Sequence, residues 1–256
     1  MFGVACARAP GDGTRLQGSE AKIQVKMARE TTGFLRATLA IAGKDLRIEL
    51  RTREVVTTTG FFGVLVAILS SMAYTTGPKT TERVAPGSIW LTVAFAAVLA
   101  IGRFWQRERE DAAFLALRTA PIPRSAIFAG KAITLFLFML VVEAVVVPVV
   151  ALVFHVDLAE VGPMLALLLL AGTFGVAATG TLFGAMTVQT RARDLMLAAV
   201  LLPLLSPSLL AGVAATRELL SGADVSELRD YFLILGMFDF ISLAGGLGLF
   251  GALIDD

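Results

Sequence analysis

Few side chains in this sequence have obvious reactive chemistry, and they are widely spaced. The single histidine, His155, closes an apolar run and is followed by Asp157, while Glu143 stands inside LFLFMLVVEAVVVPVVALVF, five residues before Pro148. An imidazole can bind haem iron axially, so His155 is a candidate haem contact. A lone histidine cannot make a metal cluster, however, and at the end of an apolar run it reads first as a polar boundary residue. Glu143 is expensive in hydrocarbon and is therefore a candidate pathway or coupling residue beside the turn that Pro148 weakens. It reads equally as a hydrogen-bonded or protonated packing residue. Asp239 lies nearer the end of its own run, where it can reach the interface. There is no H-E-x-x-H and no nucleophile marked by a local motif, so no catalytic, cofactor or metal residue is assigned and an intramembrane enzyme is disfavoured. The only cysteine, Cys6, excludes an intrachain disulfide. The few residues before it cannot supply a signal-peptide apolar core, so lipidation of the Val4 to Cys6 stretch is not expected.

The elements that position these residues must be membrane helices. Of 256 residues, 56% are hydrophobic and 17% charged, and the mean hydropathy is +0.78, well outside the range of soluble domains. A net charge of +1 offers no concentrated basic face for nucleic acid. Six stretches can span a bilayer as helices of about 20 residues: Val55 to Thr76, Ser88 to Phe104, Ala132 to Phe154, Pro163 to Val188, Leu195 to Ala215, and Tyr231 to Ile254. Pro203 and Pro207 are expected to kink or interrupt the fifth. Gly180 and Gly184 form a small-xxx-small pair that serves either packing within the chain or dimerisation.

Lysines and arginines mark the cytoplasmic side of a span. Arg36, Lys44, Arg47, Arg51, Arg53, Arg103, Arg107, Arg109, Arg118, Arg124, Lys131, Arg191 and Arg193 fall on one side, which predicts cytoplasmic termini. Residues 1–30 are polar and without periodicity and read as a disordered extension, with Met27 an alternative start. Residues 31–54 place Leu35, Leu39, Ala42, Leu46 and Leu50 about four apart, which predicts an amphipathic helix on the inner membrane surface. Residues 55–256 form the six-helix domain.

The densest charge is RFWQREREDAAFLALRTAPIP, Arg103 to Pro123. Such a group cannot face lipid. Pro121 and Pro123 stop a helix over about 104–120, and Ser125 is placed to cap the next. Glu108, Asp111, Leu115 and Arg118 share one stripe of that helix, flanked by Trp105 and Phe114. From spacing alone this is a solvated interfacial helix with an Arg107–Asp111 pair.

PGSIW at Pro86 to Trp90, this charged segment, APIPRSAIFAGK and LLPLLSPSLLA together resemble the CcmB family, the haem-exporter B proteins of cytochrome c maturation, from about Phe34 onward. The family motif F-x-x-D-x-x-D-G-S-L is matched by Trp105, Glu108, Asp111 and Phe114, with identity only at Asp111. The resemblance implies an all-α, polytopic permease of the ABC-2-like kind in the bacterial inner membrane. Its segment at Trp105, Glu108, Asp111, Phe114 and Leu115 would dock on a separate CcmA-like ATPase. It further implies a homodimer and CcmC-like, CcmD-like and CcmE-like haem-handling partners, with haem as cargo and ATP on the partner. The sequence itself carries no G-x-x-x-x-G-K-[ST] loop; SAIFAGKA lacks its first glycine and its Ser/Thr. Other permease cargoes, such as lipid, polysaccharide or drug, and a non-transporting scaffold are the alternatives.

Overall fold

The computed structural model describes residues 33–73, 80–110, 122–187 and 193–255. Among these the chain is helical, with no strand. The helices are α1 (Phe34–Thr52), α2 (Glu54–Ala73), α3 (Thr80–Glu110), α4 (Arg124–Phe154), α5 (Leu158–Thr187), α6 (Arg193–Leu220) and α7 (Arg229–Asp255). Among the described residues, six helices, α2 to α7, are long and apolar enough to cross a membrane.

The spans agree with those expected, but their ends differ in informative ways. α3 begins at Thr80 and carries Pro86 and Gly87 inside it, so PGSIW is helical and not part of a preceding loop. Likewise α4 starts at Arg124 behind Pro123, whose side chain makes no capping bond. Ser125 is therefore the second residue of the helix and not its cap. Proline supplies a fixed φ suited to the helix entrance, and the Pro123 carbonyl accepts from the Ala126 amide at 3.0 Å. α6 runs continuously through Pro203 and Pro207; the Ser206 hydroxyl donates to the freed Pro203 carbonyl at 2.7 Å, the kind of local substitution that tolerates proline in apolar helices.

α1 has three faces, not two. At about 100° per residue, Ala37, Thr38, Ile41, Asp45 and Glu49 form one stripe, and these are buried. Leu35, Leu39 and Leu50 form a second, exposed stripe, and Arg36, Arg47 and Arg51 a third, also exposed. The expected amphipathic helix is present, yet Leu35, Leu39 and Leu50 point away from the bundle, while the face on α4 combines Ile41 with small and polar residues. Gly130 allows that approach: a Cβ there would meet Ile41 and the Thr38 carbonyl. α1 ends at Arg53, whose left-handed conformation (φ 53°) turns the chain into α2.

α5 packs against α3, α4, α6 and α7. Its glycines receive large side chains from neighbours. The Trp90 ring of α3 fits between Gly172 of α5 and Gly212 of α6, and its indole nitrogen donates to Thr216 Oγ1 at 2.9 Å. Gly180 faces Ile101 and Gly184 faces Trp105. This pair therefore serves packing within the chain: without a Cβ, α5 can accept bulky rings where lipid supplies no hydrophobic drive.

Candidate functional site

The most unusual chemistry in the molecule is a charge cluster at the Arg103 end of α3. Lys131, on α4, is completely buried and its ammonium lies 2.8 Å from Asp45 of α1, itself 5% exposed. Lys44 approaches the other carboxylate oxygen at 3.0 Å. Behind the ammonium are two rings of α3, with the centroid of Phe104 at 4.7 Å and that of Trp105 at 5.9 Å. Carboxylate and ring faces together replace the hydration a buried ammonium loses. A second link, Arg103 to Glu54 at 3.6 Å, ties the same end of α3 to the start of α2. Four helices therefore meet where the charged segment leaves α3.

Sequence reasoning missed the Asp45–Lys131 pair, treating Lys131 as a loop cation. Two signals were present. Lys131 sits within apolar IFAGKAITLF, and Asp45 shares a helical stripe with Ala37, Thr38 and Ile41 rather than with the arginines. Neither identifies the partner, which is 86 residues away.

Trp105 is placed differently from the expectation that it docks on an ATPase. It is 1% exposed, packed on Gly184 and set at right angles to Phe104. An indole this size is accommodated where α5 has no Cβ, so Trp105 is part of the bundle core and not of a docking surface. Glu108 lies on the last turns of α3. Asp111, Phe114, Leu115 and most of the expected 104–120 coupling helix are outside the described residues, as is the 1–30 extension.

Glu143 and Pro148 are brought together on the wall of a cavity of about 360 Å³ between α4 and α5. The Thr173 hydroxyl of α5 donates to the Glu143 carboxylate, so one acidic group faces an otherwise apolar chamber lined by Leu140, Val147, Leu165 and Leu169. Asp239 stands ten residues into α7, about 15 Å along the helix from its start, and packs on Gly175 in the middle of α5. His155 is exposed and ends α4 in the left-handed conformation (φ 56°, ψ 42°), with its amide donating to Ala151. Asp157 accepts from the Ala159 amide at 2.9 Å and so caps α5. Both residues thus have local structural work at the α4–α5 turn. Among the described residues no group of three or more His, Cys, Asp or Glu could hold a metal ion.

Comparison with known proteins matches residues 36–250 to the family "CcmB protein". The chain is 31% identical over 191 residues to heme exporter protein B of Paracoccus denitrificans, covering 72% of this chain and 84% of that one. It is 30% identical to heme exporter protein B of Bradyrhizobium diazoefficiens over 73% of this chain and 83% of that one. The protein of the same name from Pseudomonas aeruginosa is 26% identical over 72% and 82%. The matched region takes in the Asp45–Lys131 pair, the ring cluster of α3 and the Glu143 cavity. A helical, multi-pass membrane architecture and a match over most of its length make this chain a member of the CcmB family.

Proposed function

We propose that this chain is the membrane-embedded permease subunit of a haem exporter acting in cytochrome c maturation. The observation that carries this reading is the family match over residues 36–250, which includes α2 to α6 in full and most of α7. The relatives named above are haem exporters by name, which favours haem work over lipid, polysaccharide or drug as cargo.

In this proposal a separate CcmA-like subunit hydrolyses ATP and grips the segment that begins after Trp105, through Glu108, Asp111, Phe114 and Leu115. Trp105 is the root of that segment, held in the core. A displacement of the grip pulls on a rigid anchor: Phe104 and Trp105 bear on Lys131, Lys131 holds Asp45, and Arg103 holds Glu54. The motion therefore reaches α1, α2 and α4 together, as expected of a rigid-body coupling between two packings of a bundle. Glu143, on α4 and at the cavity, is the group placed to respond. The excess of arginine and lysine at this end makes it the cytoplasmic one. CcmC-like, CcmD-like and CcmE-like proteins are the proposed haem-handling partners, and a second copy of the chain completes the permease. Haem crosses as cargo, or ATP hydrolysis releases the haem-loaded chaperone.

Deletion of the gene in its host is expected to abolish covalent haem in c-type cytochromes, read by haem staining, while b-type cytochromes persist; normal c-type maturation would sink the proposal. Asp111→Lys is expected to remove the ATPase from the purified complex and leave the chain in the membrane. Unchanged co-purification would refute the docking role.

A further inference from the structure

A second cavity, of about 550 Å³, lies in the crook where α1 turns into α2. Leu46 and Leu50 of α1 form one wall, Leu137, Val141 and Ala144 of α4 another, and Arg53 stands at the corner. Three features of its walls define what could fill it. Leu50, Leu137 and Val141 are all exposed large apolar side chains, so the chamber opens sideways along the faces a membrane helix turns to hydrocarbon. Apart from Glu49, Arg53 and Thr57 at the bend its lining is apolar, which suits an alkyl chain and not a water-soluble molecule. The corner carries one cation, Arg53, which is exposed; Arg47 and Arg51 are exposed on a separate face of α1, and among the described residues none of the three has an ion-pair partner. Glu49, the carboxylate of the lining, is buried and accepts the Val56 amide at 3.0 Å, which ties it to the start of α2. The other acid at this bend, Glu54, is paired with Arg103.

We infer that this crook is a binding site for one anionic phospholipid, with an acyl chain between α1 and α4 and its phosphate on Arg53. The three faces of α1 set the geometry. Its leucine face lies in the hydrocarbon and its arginine face in the headgroup layer, as in helices that lie in a membrane interface, so the cavity mouth and Arg53 sit at the depths of chain and phosphate respectively. Arginine presents a forked donor set suited to phosphate oxygens, and basic groups beside membrane segments favour anionic headgroups. The left-handed conformation at Arg53 ends α1 at the chamber instead of continuing the helix past it.

The test uses the purified full chain in detergent, incubated with palmitoyl-oleoyl phosphatidylglycerol or with phosphatidylcholine of the same acyl chains, and native mass spectrometry of the retained lipid. Phosphatidylglycerol is expected to be retained at least about tenfold better than phosphatidylcholine, a difference of about 1.4 kcal/mol. Arg53→Gln is expected to remove that preference. Ala144→Phe, an exposed position whose new ring fills the chamber, is expected to lower retention of both lipids. Arg36→Gln, at the far end of α1, is expected to change nothing, and gel filtration of each variant checks that it is folded. Equal retention of the two lipids, wild-type behaviour of Arg53→Gln, or an equal loss in Arg36→Gln would each overturn the site; the last would indicate diffuse attraction to the basic face of α1.

Discussion

Replacing Lys131 by methionine would leave Asp45 buried with its main counter-ion gone. Removing one partner of a buried pair costs about 3–5 kcal/mol, because the remaining charge has lost both water and its counter-ion. Here the cost should fall near the lower end, about 3 kcal/mol, since Lys44 still lies 3.0 Å from Asp45 and is partly exposed. The reciprocal change, Asp45→Leu, is harsher. It takes the carboxylate from an ammonium with no solvent access that lies over the Phe104 and Trp105 rings at 4.7 and 5.9 Å, and should cost about 4–5 kcal/mol. The double variant removes both charges and substitutes apolar groups of similar length, so it should lie within about 1 kcal/mol of the parent, as replaced buried ion pairs often do. Additive single effects would instead sum to about 7–8 kcal/mol, so most of that sum is expected as coupling between the two sites. Thermal unfolding of the purified chain, followed by loss of the monodisperse peak on gel filtration, is the assay. At about 2–4 °C per kcal/mol for a chain of this size, Lys131→Met should lower Tm by about 6–12 °C and the double variant should recover most of it. A double variant as unstable as the summed singles would show that the two residues are not energetically joined, and would remove the proposed route from α3 to α1.

Two further predictions concern neighbouring features. Trp105→Ala should destabilise the isolated chain by about 3–5 kcal/mol through the cavity left against Gly184, measured by the same unfolding assay; a stable variant that merely fails to bind an ATPase would restore Trp105 to a docking surface. Thr173→Val, which removes the hydroxyl donated to Glu143, should cost about 1–3 kcal/mol, whereas Thr173→Ser should behave like the parent. Equal unfolding temperatures for both would mean that the Glu143–Thr173 bond contributes nothing to packing α4 on α5.

By itself the sequence determined the spans, because an apolar run of about 20 residues has few alternatives to a helix in lipid. It also revealed where charge gathers, and the order of motifs pointed to the CcmB family. Helical register predicted the exposed leucines of α1. Tertiary structure decided which charges are surface charges and which are internal. Lys131 and Arg124 look alike as basic residues before an apolar run, yet Lys131 is buried because Gly130 lets α1 close over it. Trp105 belongs to the charged segment in sequence, but the missing Cβ at Gly184 lets it pack into the core. Both outcomes depend on the size of a glycine opposite a residue from another helix, a pairing that periodicity along one helix does not contain.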